Sequence, residues 1–131
     1  MHPTKFSKIS KTTIFKSDEI DDTWSIQTLD GESGGMDVGE YTSLAIDSND
    51  DVHVAHHMDC GTTTGKLGYT TNVGGTWSTT NLDTTTSGNT VSGWGNIVID
   101  SNDKVHIAYP AGTGLNYTTN QNGTWEIEVV P

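Results

Sequence analysis

The chain repeats itself, and that repetition limits what it can fold into more than any other feature. Residues 38–55 read VGEYTSLAIDSNDDVHVA and residues 91–108 read VSGWGNIVIDSNDKVHIA. An offset of 53 keeps Ile46/Ile99, Asp47/Asp100, Ser48/Ser101, Asn49/Asn102, Asp50/Asp103 and His53/His106 in step. One unit of this size cannot bury its own apolar face, so it must stack on copies of itself. The second half of the unit recurs too, as LGYTTNVGGTW in residues 67–77 and LNYTTNQNGTW in residues 115–125, now at an offset of 48. The lost residues fall between His57 and Leu67 in the first copy against Pro110 and Leu115 in the second, and a length change confined to one connection marks a loop. A weaker echo upstream aligns residues 23–30 with 76–83, and residues 12–17 supply a strand ahead of it. The reading is a basic arm at 1–11, a half unit at 12–30, and whole units at 37–83 and 90–131.

Each whole unit reads as four short strands. They are 41–47, 52–57, 66–72 and 76–82 in the first unit, and 94–100, 105–109, 114–120 and 124–130 in the second. All are rich in Val, Ile, Thr, Tyr and Trp, and all are bounded by Gly, Asn, Asp or Ser clusters, while no stretch has a helical period. The run Asn96-Ile97-Val98-Ile99 is apolar on both faces, which predicts a strand covered on both sides. Trp125, Ile127 and Val129 alternate with polar neighbours, which predicts one wet face. Asp47-Ser48-Asn49-Asp50 and Asp100-Ser101-Asn102-Asp103 have turn chemistry, with a carboxylate able to accept backbone N–H groups two residues on. Gly74-Gly75 and Asn122-Gly123 supply positive φ for the hairpin before each Trp.

A four-stranded antiparallel unit repeated in series is a propeller blade, and propellers hold roughly 4 to 8 of them. The expected fold is therefore all-β, with about two and a half blades per chain and the ring completed by other copies, two or three chains in all. The stretches Thr70-x-Asn72-x-Gly74-x-Thr76-Trp77 and Thr118-x-Asn120-x-x-Gly123-Thr124-Trp125 resemble degenerate Asp-box hairpins of sialidase-like, BNR-type propellers, with Asn where that family usually has Asp. The resemblance spans most of residues 24–131. It implies that Trp24, Trp77 and Trp125 are core residues packed between blades, and it carries fold rather than activity.

Composition removes several activities. All six basic residues are lysines, and the resemblance implies an arginine cluster for any sialidase site, so that chemistry is not expected here. A net charge of −11 argues against nucleic acid or an anionic membrane as partner. Lys5, Lys8, Lys11 and Lys16 precede every acidic residue, leaving Lys66 and Lys104 among all 17 acids. This basic arm beside an acidic body has the charge to dock on its own or a neighbouring subunit. The leader lacks the apolar run of a signal peptide and no segment is long enough for a membrane span. An acidic, Thr-, Ser-, Asn- and Gly-rich β chain nonetheless fits an extracellular, cell-surface or virion component.

Three constellations have chemical potential. His53, His56, His57 and Cys60 have zinc-ligand types, but strand alternation separates His56 from the other two. No metal or cofactor is expected, and His53 and His106, present in both copies, read as structural histidines. Asp47, Asn49 and Asp51 have calcium-loop spacing, but Lys104 replaces the third oxygen in the second copy, which favours a turn cap. The third lies where the loops 30–40, 58–65 and 83–93 gather at one end of the sheets. There Tyr41 and Trp94 occupy equivalent positions, joined by His56 and Tyr109 at the ends of second strands. Aromatic faces flanked by Asn, Asp and Thr suit a neutral sugar. The expectation is a noncatalytic module binding a glycan or other surface polymer. The competing readings are a structural protein built for assembly and a degenerate glycoside hydrolase using carboxylates such as Asp37 and Glu40.

Overall fold

The computed structural model describes residues 5–9, 13–17, 24–29, 37–59, 65–83, 91 and 95–131. Every regular element among them is a strand: β1 (Lys5–Ile9), β2 (Thr13–Ser17), β3 (Trp24–Thr28), β4 (Asp37–Ile46), β5 (Val52–Asp59), β6 (Lys66–Thr71), β7 (Ser78–Asp83), β8 (Asn96–Ile99), β9 (Val105–Ala111), β10 (Gly114–Thr119) and β11 (Glu126–Val130). They form three antiparallel meanders in chain order: a three-stranded sheet β1-β2-β3, then four-stranded sheets β4-β5-β6-β7 and β8-β9-β10-β11. The first sheet has a strand more than the half unit read from sequence, because β1 pairs with β2 from Lys5↔Ser17 to Ile9↔Thr13, inside the segment set apart as an arm.

The turns form for the reasons their residues suggest. In the β4–β5 turn, Asp47 Oδ1 accepts the amides of Asn49 at 2.8 Å and Asp51 at 3.0 Å. Asp100 does the same for Asn102 at 2.8 Å and Lys104 at 2.9 Å in the β8–β9 turn. Asp50 and Asp103 close these turns at φ of 64° and 58°, a left-handed conformation that a short polar side chain tolerates. In the β6–β7 and β10–β11 hairpins, Gly75 and Gly123 have φ of 85° and 90°, and each amide closes onto the carbonyl of Asn72 or Asn120. Those Asn side chains have a second task. Asn72 Oδ1 accepts the Val52 amide at 2.6 Å, and Asn120 Oδ1 accepts the Val105 amide at 2.8 Å, which ties each hairpin to the start of the neighbouring strand, β5 or β9.

The sheets stack in the order in which the chain makes them. On β5, side chains alternate: Val52 and Val54 pack with Leu44, Trp77 and Leu29, the last of which follows β3, and the Trp77 indole N–H donates to Gln27 on β3 at 3.1 Å. The opposite face carries Ala55, which joins Leu67 and Tyr69 of β6 against Ile97, Val105, Ile107 and Tyr109 of the third sheet. Trp125 packs against this second cluster and meets Tyr69 edge-on at 4.9 Å. Thus Trp77 and Trp125 each reach back to the preceding sheet, and Val52/Val54 and Val105/Ile107 are matching positions on matching faces. The side chain of Trp24 lies outside the described residues.

Two expectations about coverage are corrected. The run Ile97-Val98-Ile99 is not enclosed on both sides: β8 is an edge strand, Ile97 is buried against the second sheet, and Val98 is 59% exposed. Strand β11 is exposed at every residue rather than on one face. Val98 is open because, among the described residues, no sheet covers the outer face of the third.

Candidate binding site at the loop end of the stack

The two ends of the stack differ in kind. One end holds the tight Asp-Ser-Asn-Asp and Asn-x-Gly turns just described. At the other lie the start of β4, the end of β5, Val91, Gly95 at the entry to β8, and the end of β9. Here Tyr41, Ala55, His56, His57, Leu67, Val91, Gly95 and Tyr109 line a shallow cleft between the second and third sheets.

The rim is shaped by an irregular stretch of β4. Pairing with β5 passes from Val38↔Met58 to Glu40↔His57 to Ser43↔Ala55, so β4 gains residues at two bulges. Gly39 and Tyr41 absorb the bends with φ of 88° and 49°. A left-handed conformation costs an ordinary L-residue about 1–2 kcal/mol, and a Tyr has none of the short polar chemistry that eases it. The result is an aromatic ring 42% exposed at the rim, meeting the His57 imidazole edge-on at 5.9 Å.

The floor is polar where it could have been apolar. His57 Nε2 donates to the Val91 carbonyl at 2.8 Å, which leaves Nδ1 as an acceptor, buried and without a hydrogen-bond partner. Val91 bridges to Ala111, so a single histidine links the second sheet to the third. Tyr109 is fully buried, and its hydroxyl donates to Asp83 at 2.8 Å. Burial, and then the adjacent Asp83 carboxylate, push that hydroxyl well above the ordinary phenol value, so it stays a donor.

Of the four binding residues read from sequence, Tyr41 and Tyr109 come together here, one at the rim and one beneath it. His56 contributes from its place between Ala55 and His57 on β5, but alternation turns its ring to the opposite face. There Nε2 bonds Thr70 Oγ1 at 3.0 Å and the imidazole covers Gly68, where a Cβ would lie 2.4 Å from the nearest ring atom. His56 and Tyr109 therefore sit at equivalent points of successive sheets, each pointing toward the sheet before its own, and do not converge. Trp94, Cys60 and most of the three loops lie outside the described residues. His57 joins the cleft beyond those four residues; the sequence signal for it is its parity with His53 on β5, which sets it on the face toward the third sheet.

The histidines repeated in both units build a different device. His53 Nε2 donates to Asp47 Oδ2 at 3.1 Å and its Nδ1 meets the Tyr69 hydroxyl at 2.6 Å. His106 repeats this with Asp100 at 3.0 Å and Tyr117 at 2.5 Å. Burial alone raises the Asp47 carboxyl, but the bonds from His53 and from the Asn49 and Asp51 amides outweigh it and hold the group below the ordinary value. Asp100 is lowered by His106 first and by the Lys104 amide next. Each Asp–His–Tyr chain runs from a turn across two strands, with its Asp also capping the turn. Among the described residues, no group of three or more His, Cys, Asp or Glu is placed to hold a metal ion. Against known proteins, the sequence matches no family model and no curated protein.

Proposed function

We propose that this chain is a noncatalytic binding module of the β-propeller kind, which takes a glycan or another surface polymer at the loop end of its sheet stack, around Tyr41. The observation that carries this reading is an exposed aromatic ring kept in a strained backbone conformation beside an imidazole with an unsatisfied acceptor. Strain of about 1–3 kcal/mol at a single residue persists where the surrounding structure holds it, and such residues cluster at ligand sites. A tyrosine face stacks on the C–H groups of a sugar ring, and the His57 acceptor suits a hydroxyl donor. The propeller reading is supported by the stacking direction: the second and third sheets turn the same face to the sheet before them, as blades do around an axis. The acidic, hydroxyl- and amide-rich composition supports placement outside the cell or on a surface.

The test is a glycan array followed by titration of any hit against the intact chain and the Tyr41→Ala variant. Binding weakened about tenfold or more, equivalent to about 1.4 kcal/mol, with an unchanged melting temperature supports the site. Equal affinity of variant and parent removes it. A second reading, assembly for its own sake, is favoured by the uncovered face of the third sheet.

A further inference from the structure

We infer that Asn122 is a modification site, where the folded chain converts its own side-chain amide into a carboxylate, and that the change loosens the hairpin leading into Trp125. The nucleophile is the backbone nitrogen of Gly123. Hydroxide removes its proton, the nitrogen attacks Asn122 Cγ to close a five-membered succinimide ring, and the Cγ–Nδ2 bond breaks. Nδ2 leaves as ammonia, taking a proton from water and so returning the hydroxide. A second water then opens the ring at one of its two carbonyls. One opening leaves an ordinary aspartate; the other leaves an isoaspartate, in which the main chain runs through the side-chain carbon. No electrons are transferred, and water is the only co-reactant.

Both the sequence and the fold select this asparagine, a thermally labile residue type. Asn122 alone among the asparagines precedes a glycine, whose missing side chain lets the nitrogen approach Cγ. A Cβ built on Gly123 would meet nothing within 4 Å, so the ring closes into open space. Elsewhere asparagine side chains are held: Asn72 and Asn120 accept the Val52 and Val105 amides, and Asn116 is buried. Asn122 is exposed at the tip of the β10–β11 hairpin, where Nδ2 donates to the exposed Glu126 carboxylate at 3.3 and 3.2 Å. One contact restrains the reaction. The Gly123 N–H donates to the Asn120 carbonyl at 2.9 Å, so the turn must open before that nitrogen is deprotonated. The matching β6–β7 hairpin has Gly74 in place of Asn122 and no amide to lose.

The products suit the turn less well than the asparagine does. Each loses the Nδ2 donor and sets a negative charge against Glu126. Isoaspartate also lengthens the main chain by one carbon inside the turn that the Gly123–Asn120 bond closes. Trp125 follows two residues after Gly123 and meets Tyr69 edge-on at 4.9 Å, so a slackened hairpin weakens the hold of the third sheet on the second.

Ageing the intact chain in warm, mildly alkaline buffer, followed by peptide mapping in a mass spectrometer, tests this. The mass change from carboxamide to carboxylate is expected to concentrate in the peptide containing Asn122, to accelerate with pH, and to run severalfold faster in urea, where the turn is open. Asn122→Gly copies the sequence of the β6–β7 hairpin and is expected to fold, to lose that mass change and to keep its melting temperature on ageing. Modified chains of the parent, separated by their added charge on an anion exchanger, are expected to melt below the unmodified ones. An unchanged Asn122 peptide, or equal conversion at Asn72 and Asn120, overturns the site. A native rate equal to the rate in urea overturns the restraint by the turn, and identical melting of the separated fractions overturns the loosening.

Discussion

At the scale of single residues, this protein spends its polar side chains on backbone groups. Asn72 is the clearest case. Its carboxamide accepts the amide of Val52, which is fully buried, so Asn72→Ala leaves that N–H unsatisfied and is expected to cost about 1–3 kcal/mol by chemical denaturation. Asn72→Asp retains an acceptor and is expected to cost less; equal losses for both would show that the hydrogen bond is not what matters. Gly68 has a steric role, since a methyl there meets the His56 ring, and Gly68→Ala is expected to destabilise by about 1–3 kcal/mol. The Asp–His–Tyr chains predict the acid behaviour. Asp47 and Asp100 ionise below their ordinary value of 3.8 in the folded state, so each adds stability that is complete above that value and disappears as pH falls through the folded one. The urea midpoint should therefore drop on the acid side, and Asp47→Asn should be less stable at neutral pH with a shallower acid decline. A parallel decline in both proteins would assign the acid sensitivity to other carboxylates.

Strands and hairpins hold together through what arrives from the next sheet. Leu67 and Leu115 occupy the same place in the same hairpin, and Tyr69 and Tyr117 follow them, but only the first pair is roofed over. Trp125 provides part of that roof by its edge-on contact with Tyr69. Because the indole is half-buried, Trp125→Ala is expected at about 3 kcal/mol, the low end for removing a large aromatic from a core. Hydrogen exchange should localise the effect, with amides of β6 losing protection alongside those of β10 and β11. Protection lost in β10 and β11 alone would mean that the two sheets do not depend on each other. The irregular part of β4 behaves differently, since its two bulges hold a strained tyrosine. Tyr41→Gly is expected to raise the melting temperature, having relieved a positive φ, while abolishing glycan capture.

For the whole molecule, the governing fact is direction. The second and third sheets each turn their Val- and Trp-bearing face to the sheet before, so the stack has a front and a back that differ chemically. Among the described residues, the outer face of the third sheet is open, with Leu115 46% exposed where its counterpart Leu67 is 2%.

Much was legible in the sequence because much of this fold is local. The offset of 53 reveals the repeating unit, the Asp-Ser-Asn-Asp and Asn-x-Gly stretches specify their turns through side-chain bonds and positive φ, and alternation separates His56 from His53 and His57. Such features depend on residues within a hairpin or two. The third strand of the N-terminal sheet was less visible, since Lys5–Ile9 is short and lysine-rich. Coverage could not be read at all: Val98 and Ile97 are equally apolar on paper, and which one is buried depends on the sheet that comes to lie against it. The pairing of His57 with Val91 and of Tyr109 with Asp83 was hidden for the same reason. By itself, the sequence determined strands, turns and the face each residue occupies. Only the tertiary structure decided which faces meet, because burial is a property of two surfaces and a strand encodes one.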